Sequence, residues 1–352
     1  MRDIAIVSVA RLPHVRCEPL LMDAEMMTGV LTECLEKANL QRQEVDFWCS
    51  GSTDYLSGLP FSFVHVLDAI GPWPPVYETH VEMDGAWALY EAWLKMQYED
   101  LETAVIYCWG KESTPDDVRT VPTLQLDPYH VAPLGPDTVS IAALQARALL
   151  DSGRYTESDF AEVVVRARQH AASNEYAQLR EPVTAEAVLN DKPIVDPLTR
   201  SMCCPVGDGC TAVLLASADA ARDLCDKPVW IRGIEHRVEP HHLGLRDLTD
   251  SPSTRAAATA AHVHDGPIDF AEIYAPFAHQ ELILRDALGL PEDATINPSG
   301  GALCGHTLMV SGLERIGEAA LRLQRGDGQR AVAHATSGPA LQQNLVCVLE
   351  AE

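Results

Sequence analysis

An α/β fold built from two like halves follows from three observations. Short apolar strand segments alternate with amphipathic helical ones, the same order of segments occurs twice, and short local sequences echo between the two runs. The first run reads strand 4–9, helix 24–37, strand 47–50, helix 85–97 and strand 103–108; the second reads strand 229–238, helix 253–262, strand 270–274, helix 312–322 and strand 331–334. Glu44-Val45-Asp46-Phe47-Trp48 leads into one strand as Pro267-Ile268-Asp269-Phe270-Ala271 leads into its counterpart, and Thr103-Ala104-Val105-Ile106-Tyr107 echoes Arg330-Ala331-Val332-Ala333-His334. Strands alternating with helices predict mixed sheets covered by helices, with the two halves stacked.

An N-terminal half over 1–225 and a C-terminal half over 226–352 follow, the first interrupted by an inserted loop domain over about 111–200. The insert opens on proline and charge at 111–117 and 128–136, becomes helical over 140–152 and 157–172, and ends in Pro193-Ile194-Val195-Asp196-Pro197. The two prolines of that last segment force an extended chain.

Composition bounds the class. At 352 residues and 47% hydrophobic, the chain fills two cores. It has no run of 18 apolar residues, and its start, Met1-Arg2-Asp3-Ile4-Ala5-Ile6-Val7, leads to Pro13 and His14 without a signal-peptide cleavage site, so no membrane association and a cytoplasmic location are expected. Ten cysteines dispersed through apolar segments suit a reducing compartment. Only Cys203, Cys204 and Cys210 cluster, and without paired knuckles they read as core cysteines, with no metal expected. With 26 basic against 51 acidic residues and a formal charge of −25, nucleic acid is excluded as a partner.

Five motifs carry a family resemblance. They are Asn297-Pro298-Ser299-Gly300-Gly301-Ala302-Leu303-Cys304-Gly305-His306; His80-Val81-Glu82-Met83-Asp84-Gly85-Ala86-Trp87; Asp196-Pro197-Leu198 followed by Cys204-Pro205-Val206-Gly207-Asp208-Gly209; Glu272-Ile273-Tyr274-Ala275-Pro276-Phe277; and Ala333-His334-Ala335-Thr336-Ser337-Gly338. Together they resemble the signatures of the thiolase superfamily in its sterol-carrier or lipid-transfer-protein branch, most of all the thiolase-like subunits of actinobacterial steroid side-chain degradation. The resemblance implies a five-layered αβαβα thiolase fold, two tandem halves with an inserted loop domain, and a dimer. It also implies an acyl-CoA thioester as substrate, with coenzyme A entering only as part of that substrate and no separate cofactor. Coenzyme A carries phosphates, for which Arg166, Arg168 and Arg180 are candidate cations, a solvated helix face being the competing reading.

Against that family pattern the nucleophile is missing. Met83 stands where the resemblance places a thiolate at a helix N-terminus, and a thioether has no proton to lose. Asp84 beside it would oppose a developing thiolate, or else caps the helix. The last glycine-rich loop, His334-Ala335-Thr336-Ser337-Gly338-Pro339, has no second cysteine. Cys304 is either an adventitious nucleophile or a small apolar filler. His306 is retained where the family polarises a thioester carbonyl, though Thr307 replaces the family's proline, and its glycine-rich turn admits a ligand closely. Tyr274 sits where relatives carry an oxyanion-hole side chain. A phenol there donates to an oxyanion, or accepts a proton if a neighbouring cation lowers its pKa.

The expected catalytic set is therefore Tyr274, His306 and His334, and the expected substrate-binding set is Met83, Asp84, His279, Gly301, Cys304 and Gly338. Two functions compete: a retro-aldolase (carbon–carbon lyase) acting on β-hydroxyacyl-CoA, or a non-catalytic subunit in a homo- or heterodimer with a more complete thiolase-like chain and a small OB-fold acyl-CoA-binding protein. An acetyl-CoA acyltransferase is a weaker third reading.

Overall fold

The computed structural model describes residues 2–57, 60–98, 100–114, 121–291 and 293–352, so the proline and acids at 115–117 of the predicted insert lie outside the described residues. In chain order the first half comprises β1 (Ile4–Arg11), α1 (Asp23–Lys37), β2 (Phe47–Gly51), α2 (Asp54–Ser57), α3 (Leu67–Ile70), β3 (Glu78–Val81), α4 (Gly85–Tyr98) and β4 (Thr103–Lys111). The insert carries α5 (Thr138–Asp151), α6 (Glu157–Ala171), α7 (Ala185–Leu189) and the small hairpin β5 (Pro193–Val195) and β6 (Leu198–Thr199). The chain then returns to the main sheet in β7 (Asp208–Ser217) and continues through α8 (Ala218–Leu224) and β8 (Val229–Val238). The remainder is α9 (Pro252–Ala260), β9 (Phe270–Ile273), α10 (Ala278–Leu288), β10 (Thr295–Ile296), α11 (Ser311–Arg325), β11 (Arg330–Ser337) and β12 (Gln343–Ala351).

The strands run β10-β9-β11-β12-β8-β1-β7-β4-β2-β3. Cut between β8 and β1, which share only two residue pairs, the order reads the same outward from the middle. In one half β2 is parallel to β3 and β4, and β7 is antiparallel to β4 and β1; in the other β9 is parallel to β10 and β11, and β12 is antiparallel to β11 and β8. The sequence repeat omitted β7 and β12, the antiparallel return strands. Both are near-continuous apolar runs, Ala212–Ala216 and Leu345–Leu349, which lack the alternation that marks a half-exposed strand.

Three cores separate five layers. Strand side chains alternate between them, as a period of two requires. Ile4, Ile6, Ala104 and Ile106 face an inner core with Ala331, Ala333, Leu345 and Cys347 of the other half, packed around α4 and α11. Ala5, Val7, Val105 and Tyr107 face outward against Met26, Met27, Val30 and Leu31 of α1. Val332, Val346 and Val348 face α9, α10 and the insert's Phe160 and Val164. The fold is thus helix, sheet, helix, sheet, helix.

The two helices between the sheets begin on small residues, Gly85-Ala86 and Ser311-Gly312, where little room exists. A Cβ on Gly85 would stand 2.6 Å from Cys108 Sγ and 3.0 Å from the Leu313 Cβ. Gly85→Ala is expected to destabilise the protein by about 1–3 kcal/mol through overpacking, read as a lower urea midpoint at unchanged slope. An unaltered midpoint would show that the middle layer has slack.

Candidate active site

A cavity of about 190 Å³ opens where the C-terminal ends of β9 and β11 meet the start of α10 and the insert. Tyr274 follows the last residue of β9 and carries the strand one step further, its N–H donating to the His334 carbonyl at 3.1 Å. His306 comes from the loop between β10 and α11. That loop is pinned at its base: Asn297 Oδ1 accepts from Ile273 N at 2.6 Å and Asn297 Nδ2 donates to Glu281 at 2.8 Å. The buried Glu272 carboxylate accepts from Ser299 N at 2.9 Å and from Arg315 Nη1 at 2.8 Å. Gly300, at φ +97°, lies so near α6 that a Cβ would meet Ala171 at 2.6 Å. Thr307, next to the imidazole, holds His14 Nδ1 at 3.1 Å, and His14 Nε2 meets Glu314 at 2.6 Å.

These supports place His306 Nε2 2.8 Å from the Tyr274 hydroxyl. On the other side, Nδ1 stands 3.0 Å from Glu112 Oε1, an ion-pair contact outside hydrogen-bonding alignment, and the same oxygen accepts the Leu308 N–H. The Cys204 side chain lines the cavity beside the imidazole, and its backbone N–H donates to Pro276 O at 2.8 Å.

Burial pushes the Tyr274 phenol well above its usual range, only partly opposed by His306, so at neutral pH it keeps its proton. This differs from a phenol activated by a cation, because enclosure outweighs the neighbouring charge. Burial works to lower His306, yet Cys204, Tyr274 and Glu112 outweigh it and hold the imidazole well above its ordinary value. With its proton on Nε2, His306 donates to the phenol oxygen and leaves the phenolic hydrogen free for a substrate oxygen. The pair is therefore suited to stabilising a developing oxyanion.

Asp84 also lines the cavity, at the point where the two middle helices begin. Its Oδ1 accepts from Ala86 N at 2.8 Å and Leu313 N at 3.0 Å, and its Oδ2 from Gly312 N at 2.9 Å. One carboxylate thus caps α4 and α11 together, where both helix dipoles present their positive ends. Burial raises its pKa, opposed by those three N–H groups.

Of the nine residues singled out in the sequence, Tyr274, His306, Asp84 and Gly338 line this cavity. The others lie elsewhere. His334 is fully buried within β11, bonded to Asn344 at 3.0 Å behind the layer that carries Thr336, and burial lowers its pKa to about 4. His279 points back from α10 toward α5, 3.3 Å from Gln145, and burial lowers it to about 3. Met83 packs partly buried against the inner core. Gly301, at φ +62°, shapes the turn over Asn297. Cys304 sits in the outer core of the second half, its thiol pushed up to about 12 by burial, and is a filler there.

Among the cavity residues not singled out, Glu112 follows a strand end that no local motif marks, whereas Thr336 stands within the quoted His334–Gly338 motif without having been given a role. Cys204 was read as a core cysteine; its signal was the following proline, which ends regular pairing and turns the segment toward the loops. Arg166, a candidate phosphate cation, is ion-paired with buried Glu281. Among the described residues no group of three or more His, Cys, Asp or Glu is placed to hold a metal ion, and no helix is long and apolar enough to cross a membrane.

Two mirrored α/β halves enclosing a central helix pair, with a His-bearing loop over the strand ends, define a thiolase-type scaffold. No family model matches the chain. It is 27% identical to the acetyl-CoA acetyltransferase of Methanothermobacter thermautotrophicus, over 96% of this chain and 95% of that one. It is 31% identical to sterol carrier protein 2 of Oryctolagus cuniculus over 53% of this chain, which spans 39% of that protein. Among solved structures it superposes on an Ltp2-ChsH2(DUF35) aldolase with TM-score 0.81 at 21% identity, covering 99% of this chain and 98% of the other, a likeness of fold. The chain is thus similar in sequence to acetyl-CoA acetyltransferases and sterol carrier protein 2, and in fold to SCP2-thiolase-like proteins.

Proposed function

We propose that the chain acts on an acyl-CoA thioester and cleaves a carbon–carbon bond in it by retro-aldol chemistry. The observation that carries this reading is the 2.8 Å contact between the Tyr274 hydroxyl and His306 Nε2 within the cavity. A β-hydroxyacyl thioester bound with its carbonyl oxygen at the Tyr274 hydroxyl has its electrophilic half in place. Glu112, the cavity carboxylate behind the imidazole, takes the proton of the β-hydroxyl as the oxygen becomes a carbonyl. The Cα–Cβ electron pair passes to the thioester enolate, held by Tyr274 and His306, and protonation at Cα releases a shorter acyl thioester and a ketone. That the structural neighbour is an aldolase supports this choice of reaction.

Release of the ketone from a β-hydroxyacyl-CoA tests it, with the chain alone and with a DUF35 partner like that of the neighbouring aldolase. Tyr274→Phe is expected to lower kcat about 10²–10³-fold, the effect of losing one oxyanion donor, and His306→Ala to do likewise. Unchanged rates in Tyr274→Phe would sink the assignment. Turnover only with the partner would favour the heteromeric reading, in which this chain contributes part of a shared site.

The Cys204 thiol beside His306 supports a second reading, acyl transfer, in keeping with the name of the archaeal relative. Intact-mass measurement after incubation with acyl-CoA separates the two. An acyl adduct lost in Cys204→Ala favours transfer; an unmodified chain that releases ketone favours cleavage.

A further inference from the structure

Among the described residues seven other than glycine have a positive φ, and three of them line the active-site cavity: Met309 at +71°, Ala340 at +51° and Leu341 at +61°. A side chain on a left-handed backbone is strained, and such strain persists only where the surroundings hold it. Ala340 and Leu341 are consecutive, in the turn that joins β11 to β12, and Gly338 at +73° starts the same turn. Three side chains grip its carbonyls. Arg246, in the connection between β8 and α9, donates from Nη1 to Pro339 O at 3.0 Å and from Nη2 to Ala340 O. Gln145 Nε2 of α5 reaches the same Ala340 oxygen at 3.5 Å, and Asn344 Nδ2 donates to Leu341 O at 2.8 Å.

Arg246 is the informative member of this grip. It is partly buried, burial lowers its pKa against the opposing charge of Glu239, and among the described residues it forms no ion pair with any carboxylate. Withdrawing a cation from water for backbone carbonyls alone is costly, so the conformation it holds has a use. Ala340 shows what that use is: it clusters with Leu126 and Ile141 of the insert, and all three line the cavity. This wall is hydrocarbon, made by the insert on one side and the strained turn on the other. We propose that Arg246 is a positioning residue, which clamps the 338–341 turn so that Ala340 completes an apolar wall for the hydrocarbon of an acyl thioester. This rests on the acyl-thioester reading of the cavity and adds to it, since Tyr274 and His306 hold the thioester oxygen whereas Arg246 acts on the chain beyond it.

Binding to the full chain, separated from turnover, tests it. Two thioethers of coenzyme A are compared by calorimetry, S-hexyl-coenzyme A and S-methyl-coenzyme A, which differ only in hydrocarbon. The natural chain should bind the hexyl compound more tightly. Arg246→Met should weaken hexyl binding about tenfold, the scale of losing hydrogen bonds from a charged donor, while methyl binding stays within about threefold. Arg246→Lys, which keeps the charge but not the two-pronged donor, should fall between, and it is read alone if Arg246→Met does not fold. Ala340→Gly supplies the readout that a general loss of packing would not move. Glycine holds a positive φ unaided, so in that background the Arg246 substitution should cost hexyl binding no more than about threefold. Equal binding of the two thioethers by the natural chain, a hexyl preference that survives substitution of Arg246, or the same cost with and without Ala340→Gly overturns the proposal and leaves the acyl-thioester reading intact. Failure of the natural chain to bind either thioether overturns that reading, and this proposal with it.

Discussion

Asp84→Ala is expected to lower the free energy of unfolding by roughly 4 kcal/mol, among the largest single effects in the protein. The reason is that one side chain serves two helices. Removing it strips an acceptor from Ala86 N, Gly312 N and Leu313 N at once, and all three lie in the inner core. A single lost N-cap costs about 1 kcal/mol, but here the N–H groups are sealed from water, so each deletion approaches the full desolvation penalty. Asp84→Asn sharpens the test. Its oxygen still serves Ala86 and Leu313, while its amide faces the Gly312 N–H donor to donor, so it should fall between Ala and the natural residue. Urea denaturation followed by circular dichroism measures both; a loss under about 1 kcal/mol for Asp84→Ala would mean that the helix ends find other partners.

Mild acid should destabilise the fold nearly as strongly. His279 and His334 are buried neutral, with pKa values brought down to about 3 and about 4 by desolvation. In the unfolded chain each titrates near 6.5. Below that pH the unfolded state binds protons that the folded state refuses, so stability is full above 6.5 and falls as pH falls toward 4. Each histidine contributes about 1.4 kcal/mol per pH unit across that window, so the pair should remove roughly 4 kcal/mol between pH 6.5 and 5. His306 has the opposite sign: its raised pKa adds stability below 6.5 that is lost only as pH rises through its folded value. Glu314, held well below the usual carboxylate range by His14, Arg315 and Arg11 against the pull of burial, loses its contribution only at lower pH. Denaturation at pH 7, 6 and 5 gives the slope, and His334→Gln should roughly halve it. A flat profile would show that both imidazoles reach water.

How much of this was legible in the sequence depends on whether a feature is local. The repeat of strands and helices was readable because each element carries its own apolar period, and the Tyr274 and His306 loops were readable because glycines and an Asn-Pro turn mark them. The return strands β7 and β12 were not read as part of the repeat, since full burial erases alternation. Glu112 joins the site only through pairing and packing between distant segments. Asp84 is a plain helix cap to the sequence; its second helix begins more than two hundred residues later. His334 lies inside β11 rather than at its end, a difference of position that one dimension does not show.

The halves also differ in one respect with wide bearing. β4 is joined to β7 by residues 112–207, whereas β11 turns directly into β12 through 338–342. Helices of the longer connection roof the strand ends of the opposite half, so one copy of the plan supplies the chamber and the other supplies its ceiling. A chain built this way can change the shape of its cavity by editing the ceiling alone, leaving the paired sheets and the Tyr274–His306 contact beneath them untouched.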